Sequence, residues 1–286
     1  MSQRDRDEMS MGKIVYAIFS SHGPDLLTLG RGIFDSFEES ERKVVEALEA
    51  CSENIRKVKP DAVIAISPHW YTGGRFLIDG SKKLPCIQDY YGFPPNFYSF
   101  RYDAAGEPEL AKAIADSLVR DGFQAELTGG RGLDHGHWVP LHYLLPERNV
   151  PVVPLSITGL SAEEHYSSGI SIAHALDGYS GRIAILATGA LLHRMDLITS
   201  FELHDEWPEG EIFLKHIGEA LSTMDVEAIK SMAAQRSEAG PEAGLRTLML
   251  LLGALSNTEV HANVLSATRI ATYTSNNVIE FITANR

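Results

Sequence analysis

Short apolar runs alternate with longer amphipathic stretches along most of this sequence, and this alternation strongly constrains its fold. Runs rich in β-branched residues are typical of buried strands, whereas apolar residues three or four positions apart are typical of helices. The alternation predicts an α/β fold: a single domain with a central, mainly parallel sheet flanked by helices. The predicted strands are 13–19, 61–66, 75–78, 124–127, 151–157 and 182–186, and the predicted helices are 36–58, 107–121, 161–176, 209–222, 226–233 and 242–255.

The composition fits a globular protein and narrows its partners. The 286 residues are 44% hydrophobic and 22% charged, and we expect one domain at 12–286 after a disordered tail at 1–11. The net charge of −13, without a localised basic patch, argues against nucleic-acid binding. No apolar run is long enough to cross a bilayer, and residues 1–11 do not look like a signal peptide. Two cysteines without a CxxC pair favour a cytoplasmic location.

Three histidines share one position relative to the predicted strands. His22 follows the first strand, His69 follows the second, and His193 follows the last. Ligands of open α/β sheets bind beside the carboxyl ends of the strands, so these imidazoles converge if their strands are parallel neighbours. A single histidine of this kind is more often structural, but three in the same topological position favour a site.

A fourth polar group lies at 131–138, where Asp134 precedes His135 and His137. The flanking glycines predict a loop that directs one histidine inward. That histidine would donate or accept a proton, because the pKa of an imidazole lies near neutrality. Alternatively, Asp134 caps a following helix and both histidines are solvated.

A metal held by His22 and His69 needs ligands that are distant in sequence, because no HExxH or CxxC motif is present. Two histidines and a carboxylate form the facial triad of non-haem iron(II) enzymes, which leaves positions open for substrate and O2. Spacing leaves the carboxylate open among Asp134, Glu238 and Glu242. Glu242 begins a predicted apolar helix, where it is equally explained as a first-turn residue favoured by the helix dipole.

Residues 80–105 interrupt the alternation with turn residues and aromatic side chains. Seven of the 24 aromatic residues fall within 13 positions, from Tyr90 to Tyr102. A long aromatic loop in a compact domain is often functional, but a satellite hydrophobic cluster or a dimer contact explains the composition equally well.

Taken together, these segments resemble the class III extradiol ring-cleavage dioxygenases, which include protocatechuate 4,5-dioxygenase and the DOPA 4,5-dioxygenase branch. Residues 21–24 and 67–70 are similar to the two metal-histidine motifs, and 133–136 and 188–194 to the two catalytic-histidine motifs. The run 87–94 resembles the substrate-side loop of the DOPA branch. In contrast, 242–253 resembles the carboxylate segment of the protocatechuate and homoprotocatechuate branches.

The resemblance implies an Fe(2+)-dependent dioxygenase with its site at the carboxyl ends of the strands. Such an enzyme inserts O2 into a catechol-type or 2-aminophenol-type ring and yields a muconic semialdehyde-type product. The implied metal ligands are His22, His69 and Glu242, and the implied acid–base residues are His193 and His135.

The same resemblance implies a substrate contact for Tyr91, Phe93 and His137. It also implies a homo-oligomer, alone or with a small accessory subunit. Two alternatives stay open. One is a zinc- or iron-dependent DOPA-type dioxygenase, and the other is a non-catalytic homologue that binds a metal or another ligand.

Overall fold

The computed structural model describes residues 12–28, 38–198, 206–235, 238–271 and 273–284. The tail expected at 1–11 lies outside these residues. The strands are β1 Lys13–Ser20, β2 Ala62–Tyr71, β3 Phe76–Asp79, β4 Lys83–Leu84, β5 Ala104–Ala105, β6 Ala125–Thr128, β7 Val152–Ile157, β8 Arg182–Thr188, β9 Val260–Ala271 and β10 Thr274–Thr283. The helices are α1 Glu38–Val58, α2 Pro108–Arg120, α3 His135–Leu144, α4 Ala162–Ala175, α5 Pro208–Ser222, α6 Val226–Ala234 and α7 Arg246–Ala254.

Eight of the described strands form one sheet in the order β6-β3-β7-β2-β8-β1-β10-β9. The central strands β7, β2, β8 and β1 run parallel, as do β3 and β6. Antiparallel pairing joins β3 to β7 and joins β1, β10 and β9. The predicted α/β domain with a mainly parallel central sheet is therefore confirmed.

Both faces of this sheet are covered by helices. Successive residues of β1 enter opposite cores, since Phe19 belongs to one buried cluster and Ile18 to the other. Helices α1 and α3 contribute to the second cluster, and α2, α4, α5, α6 and α7 contribute to the first. Strands buried on both faces read as continuous apolar runs, which is why the central strands were found in the sequence.

The hairpin formed by β9 and β10 is absent from the predicted elements. Its second strand contains Ser275, Asn276 and Asn277, residue types that are rare in strands. All three are buried, and the Asn277 side chain accepts from Leu191 N and donates to Gly189 O. Ser275 also accepts from Leu192 N, so two of these polar side chains are bonded to the loop after β8, a contact that no local pattern reveals.

The loop predicted at 131–138 is wrong, because α3 begins at His135. Asp134 is its N-cap, and its side chain accepts from the His137 backbone N–H, as the capping alternative had it. The histidines are not solvated, however, since His135 is 7% exposed and His137 is fully buried.

Candidate active site

His22, His69 and His193 meet at one edge of the sheet because their strands are adjacent and parallel. His22 lies two residues beyond β1, and His193 lies beyond β8. His69 lies inside the irregular end of β2, where the pairing with β7 changes register after Ile66. The convergence expected from the strand ends is therefore present in the fold.

Three donor atoms from distant parts of the chain face one another at this edge. His22 Nε2 lies 3.0 Å from His69 Nε2. Glu242 Oε1 lies 3.6 Å from His22 Nε2 and 3.7 Å from His69 Nε2. His193 Nε2 lies 3.9 Å from the same Glu242 oxygen. Of the three carboxylates that spacing left open, Glu242 is the one that joins the histidine pair.

Hydrogen bonds with the backbone of Ala190 orient the carboxylate of Glu242. Its Oε2 accepts from Ala190 N, and its own N–H donates to Ala190 O, both at 2.9 Å. The next residues, Ala243, Gly244 and Leu245, are left-handed, with φ of 48°, 60° and 61°. The helix predicted to begin at Glu242 therefore begins only at Arg246, and the dipole explanation of Glu242 does not apply.

The two facing histidines are neutral bases at pH 7. Burial, together with the nearby His69, lowers the pKa of His22 well below its ordinary value. Burial and His135 also lower the pKa of His69, although Glu242 acts in the opposite direction. A neutral imidazole is the form that binds a metal ion.

This donor set fits a divalent metal ion. Ligand bonds of about 2.0–2.2 Å place the ligands of one ion about 3–3.5 Å apart, close to the separations found here. Two imidazoles and a carboxylate suit iron(II) or zinc. A second arrangement shares two of these residues, because His22, His69 and His135 each offer a ligand atom within 4.8 Å of the others.

Asp89, which the sequence analysis did not single out, is the partner of His135. Its Oδ1 accepts from the backbone N–H of His135 at 2.9 Å and lies 2.8 Å from His135 Nδ1. Burial alone would raise the pKa of Asp89, but the hydrogen bonds from His135 lower it below its ordinary value. The Nδ1 contact therefore occupies one nitrogen of the His135 ring.

His137 lies outside the cavity wall, fully buried against Asp134. His137 Nδ1 is 3.0 Å from Asp134 Oδ1, an ion-pair distance without hydrogen-bond geometry. Burial would raise the pKa of Asp134, but His137 and hydrogen bonds, including one from Ser67, hold that pKa well below its ordinary value. The substrate contact expected for His137 therefore remains a prediction, and this arrangement gives it no support.

A cavity of about 560 Å³ opens beside the converging donor atoms. His22, His69, His135, His193 and Glu242 line its polar side. A wall from the aromatic segment, residues 88–102, lines it as well. The members of this segment that reach the cavity are Tyr90, Tyr91, Gly92 and Phe93.

The aromatic segment contributes both to the core and to the cavity. Phe97 and Tyr102 are fully buried, which agrees with the hydrophobic-cluster alternative. Phe93 packs edge-on against Tyr90, with ring centroids 5.4 Å apart. Tyr91 stands at the rim with 90% of its surface exposed.

Comparisons with known proteins find relatives of this chain. A family model described as the catalytic LigB subunit of aromatic ring-opening dioxygenase matches residues 16–277. The chain is 35% identical over 186 residues to a 4,5-DOPA dioxygenase extradiol of Beta vulgaris, covering 64% of this chain and 65% of that protein. It is 30% identical over 179 residues to the 4,5-DOPA dioxygenase extradiol of Mirabilis jalapa, covering 62% of each. The match thus spans less than two thirds of either relative.

A solved structure shares the fold. The crystal structure of an uncharacterized protein from Escherichia coli K12 matches 93% of this chain and 99% of that chain, with a TM-score of 0.68. The sequence identity is 18%, so this likeness concerns the architecture alone.

Proposed function

This chain belongs to the family of the catalytic LigB subunit of aromatic ring-opening dioxygenases, and we propose that it is an extradiol dioxygenase acting on a catechol-type ring. The observation that carries the proposal is the convergence of His22, His69 and Glu242 beside a cavity with an aromatic wall. The relatives named 4,5-DOPA dioxygenase extradiol support a catechol-type substrate.

We assign Fe(2+) to the site, with His22, His69 and Glu242 as its ligands. The carboxylate offers negative charge and an oxygen donor beside two neutral imidazoles, the ligand types of non-haem iron(II) oxygenases. When bound, the metal supplies Lewis acidity and a template that holds the aromatic diol next to O2. A zinc- or iron-dependent DOPA-type enzyme is the second candidate, favoured by the names of the relatives.

Two histidines of the chain handle protons in this proposal. His193 is 37% exposed and faces the cavity beside Glu242, where it can accept a proton from a substrate hydroxyl. His135 lines the same cavity and assists as an acid or base during ring opening. Imidazoles suit both tasks, because an efficient proton-transfer group has a pKa near the working pH.

The remaining cavity wall favours the binding of an aromatic ring. Phe93 and Tyr90 offer apolar surface, which binds the ring and excludes water. Among the described residues, those that line the cavity include no lysine or arginine. Arg194, which lies beside His193 in sequence, is instead paired with Asp196.

The test is oxygen uptake by anaerobically iron-loaded protein with a panel of catechols, aminophenols and hydroxypyridones. We expect one O2 to be consumed per ring opened, with a yellow semialdehyde-type product. His193→Gln is expected to keep its iron and lose about 10²–10⁴-fold in kcat, the usual contribution of a proton-transfer group. No uptake on any compound, with one iron bound per chain, would instead favour a non-catalytic binding protein.

Assembly and location stay predictions. A homo-oligomer, with or without a small accessory subunit, is expected from the resemblance, and size-exclusion chromatography with light scattering would decide. The cytoplasmic location is expected from the cysteine content. Within the described ranges, no helix combines the length and apolarity needed to span a membrane.

A further inference from the structure

The carboxylate of Asp89 lies beside two histidines of the cavity. Asp89 Oδ1 takes both hydrogen bonds offered by His135, from the backbone N–H at 2.9 Å and from ring Nδ1 at 2.8 Å. Asp89 Oδ2 lies 3.9 Å from Nδ1 of His69. The Asp89 side chain is 22% exposed, so water screens these contacts only in part.

The direction of the ring hydrogen bond has a chemical consequence. A carboxylate accepts hydrogen bonds and has no hydrogen to donate, so Nδ1 of His135 must carry the hydrogen of this contact. A neutral imidazole protonated at Nδ1 has a lone pair at Nε2. Nε2 is then the ring nitrogen left to accept a proton from a ligand in the cavity.

We propose that Asp89 is a positioning residue that holds His135 in its Nδ1–H tautomer and so presents Nε2 to the substrate as a proton acceptor. The catalytic meaning of this arrangement rests on the proposed function, whereas the tautomer itself does not. Outer carboxylate partners of this kind fix the tautomer and orientation of functional histidines in many sites.

Asp89 is not the main anchor of the segment that carries it. Two residues earlier, Ile87 N donates to Leu133 O at 2.7 Å, and Trp138 Nε1 donates to Ile87 O at 2.9 Å. Gln88 Nε2 donates to the carbonyls of Tyr98 and Phe100. Substitution of Asp89 therefore leaves the path of the aromatic segment supported, and its effect can be attributed to His135.

The first test reads the tautomer by nitrogen NMR of the imidazole rings in the 15N-labelled, zinc-loaded full chain. The His135 signals are assigned by their loss in His135→Gln. We expect a protonated Nδ1 and an unprotonated, metal-free Nε2. In Asp89→Ala the tautomer should move towards Nε2–H, and in the control Asp116→Ala, which removes an exposed carboxylate paired with Lys112, it should not. A hydrogen or zinc on Nε2 of the unsubstituted protein, or an unchanged tautomer in Asp89→Ala, would overturn the inference.

The second test separates positioning from substrate binding. For the iron-loaded enzyme, we expect Asp89→Ala to lower kcat by about 10–100-fold while KM changes by less than about threefold. Asp89→Asn keeps an oxygen for both N–H donors and should recover part of that kcat. An unaltered kcat in Asp89→Ala would defeat the inference alone. In contrast, absence of ring opening in the unsubstituted protein would defeat the proposed function and leave the NMR test standing.

Discussion

Histidines lie near the carboxyl ends of two neighbouring parts of the same sheet, and the two groups have different partners. At the ends of β1 and β2, His22 and His69 turn their Nε2 atoms towards each other, 3.0 Å apart. Beyond the end of β7, His165 lies in the first turn of α4 and is fully buried. Its Nδ1 donates to Ser161 O at 2.8 Å, and its Nε2 accepts from Thr158 N at 3.2 Å.

The two groups of histidines differ in their hydrogen-bond partners and not in the effect of burial, which lowers the pKa in both groups. Burial lowers the pKa of His165 to about 4, and it is also the main reason why the pKa of His22 is lowered. Both nitrogens of His165 are engaged by the backbone, so nothing remains to bind a ligand. His22 and His69 offer lone pairs to a shared point instead, and Glu242 adds a charge there. His22 and His69 are distinguished from His165 by ring nitrogens that face each other and a carboxylate, and not by their burial.

The largest effect should come from removing one member of the facing pair. His69→Ala is expected to abolish metal retention and oxygen uptake, because loss of a ligand should exceed the 10–100-fold cost of losing an outer partner. The variant should stay folded, since the His69 side chain is 33% exposed. Metal content after gel filtration and the far-UV circular dichroism spectrum test both points.

His174→Ala is the matched control, because His174 lies at the surface and contacts Asp121. It should keep both the metal and the activity. If His69→Ala retained stoichiometric metal and ring opening, the facing histidines would not be metal ligands, and their role would be structural like that of His165.

The second-largest effect concerns His165, whose two ring nitrogens both have hydrogen-bond partners. It is expected in the free energy of unfolding. The pKa of His165 is about 4 in the folded protein, below the ordinary value of about 6.5 expected after unfolding. Between these values the unfolded chain binds more protons, so the contribution of His165 is present above pH 6.5 and is lost as the pH falls to 4. The loss amounts to about 3 kcal/mol of unfolding free energy.

Urea unfolding of the metal-free protein at pH 7 and pH 4 measures this loss. His165→Gln keeps a donor and an acceptor but does not titrate, so its pH dependence should be smaller by about that amount. The surface variant His174→Gln provides the comparison. Equal pH dependence in His165→Gln and the unsubstituted protein would show that burial of His165 is not coupled to protonation.

The smallest effect is expected at the aromatic wall of the cavity. Phe93 packs against Tyr90 and Phe97 and lines the cavity, so Phe93→Ala should raise KM about tenfold through lost apolar contact. Tyr91 is 90% exposed, and Tyr91→Ala should change KM less than about threefold. Steady-state kinetics with the best catechol would test this, and a larger effect at Tyr91 would indicate that the rim closes over the ring.

Much of the site was accessible from sequence because strand ends are local features. His22, His69 and His193 each follow an apolar run, and parallel pairing of those runs brings them together without further information. Asp89 was missed because nothing in a turn-rich aromatic stretch marks an aspartate as the partner of a histidine 46 residues away. Helix α3 was missed because Gly132 and Gly136 favour a loop. The alternative, in which Asp134 caps a following helix, was the correct one.

The sequence alone determined the parts that depend on local periodicity: the central strands, most helices, and the position of three histidines at strand ends. The tertiary structure decided which carboxylate joins them. The Glu242 carboxylate is oriented by a hydrogen bond from Ala190, which lies in the loop after β8. The left-handed residues that follow Glu242 prevent a helix from starting there. It also decided that polar Asn277 lies in a buried strand, because its partners come from that same loop. Periodicity reports which face of an element is apolar, whereas hydrogen bonds between distant segments exist only once the chain has folded.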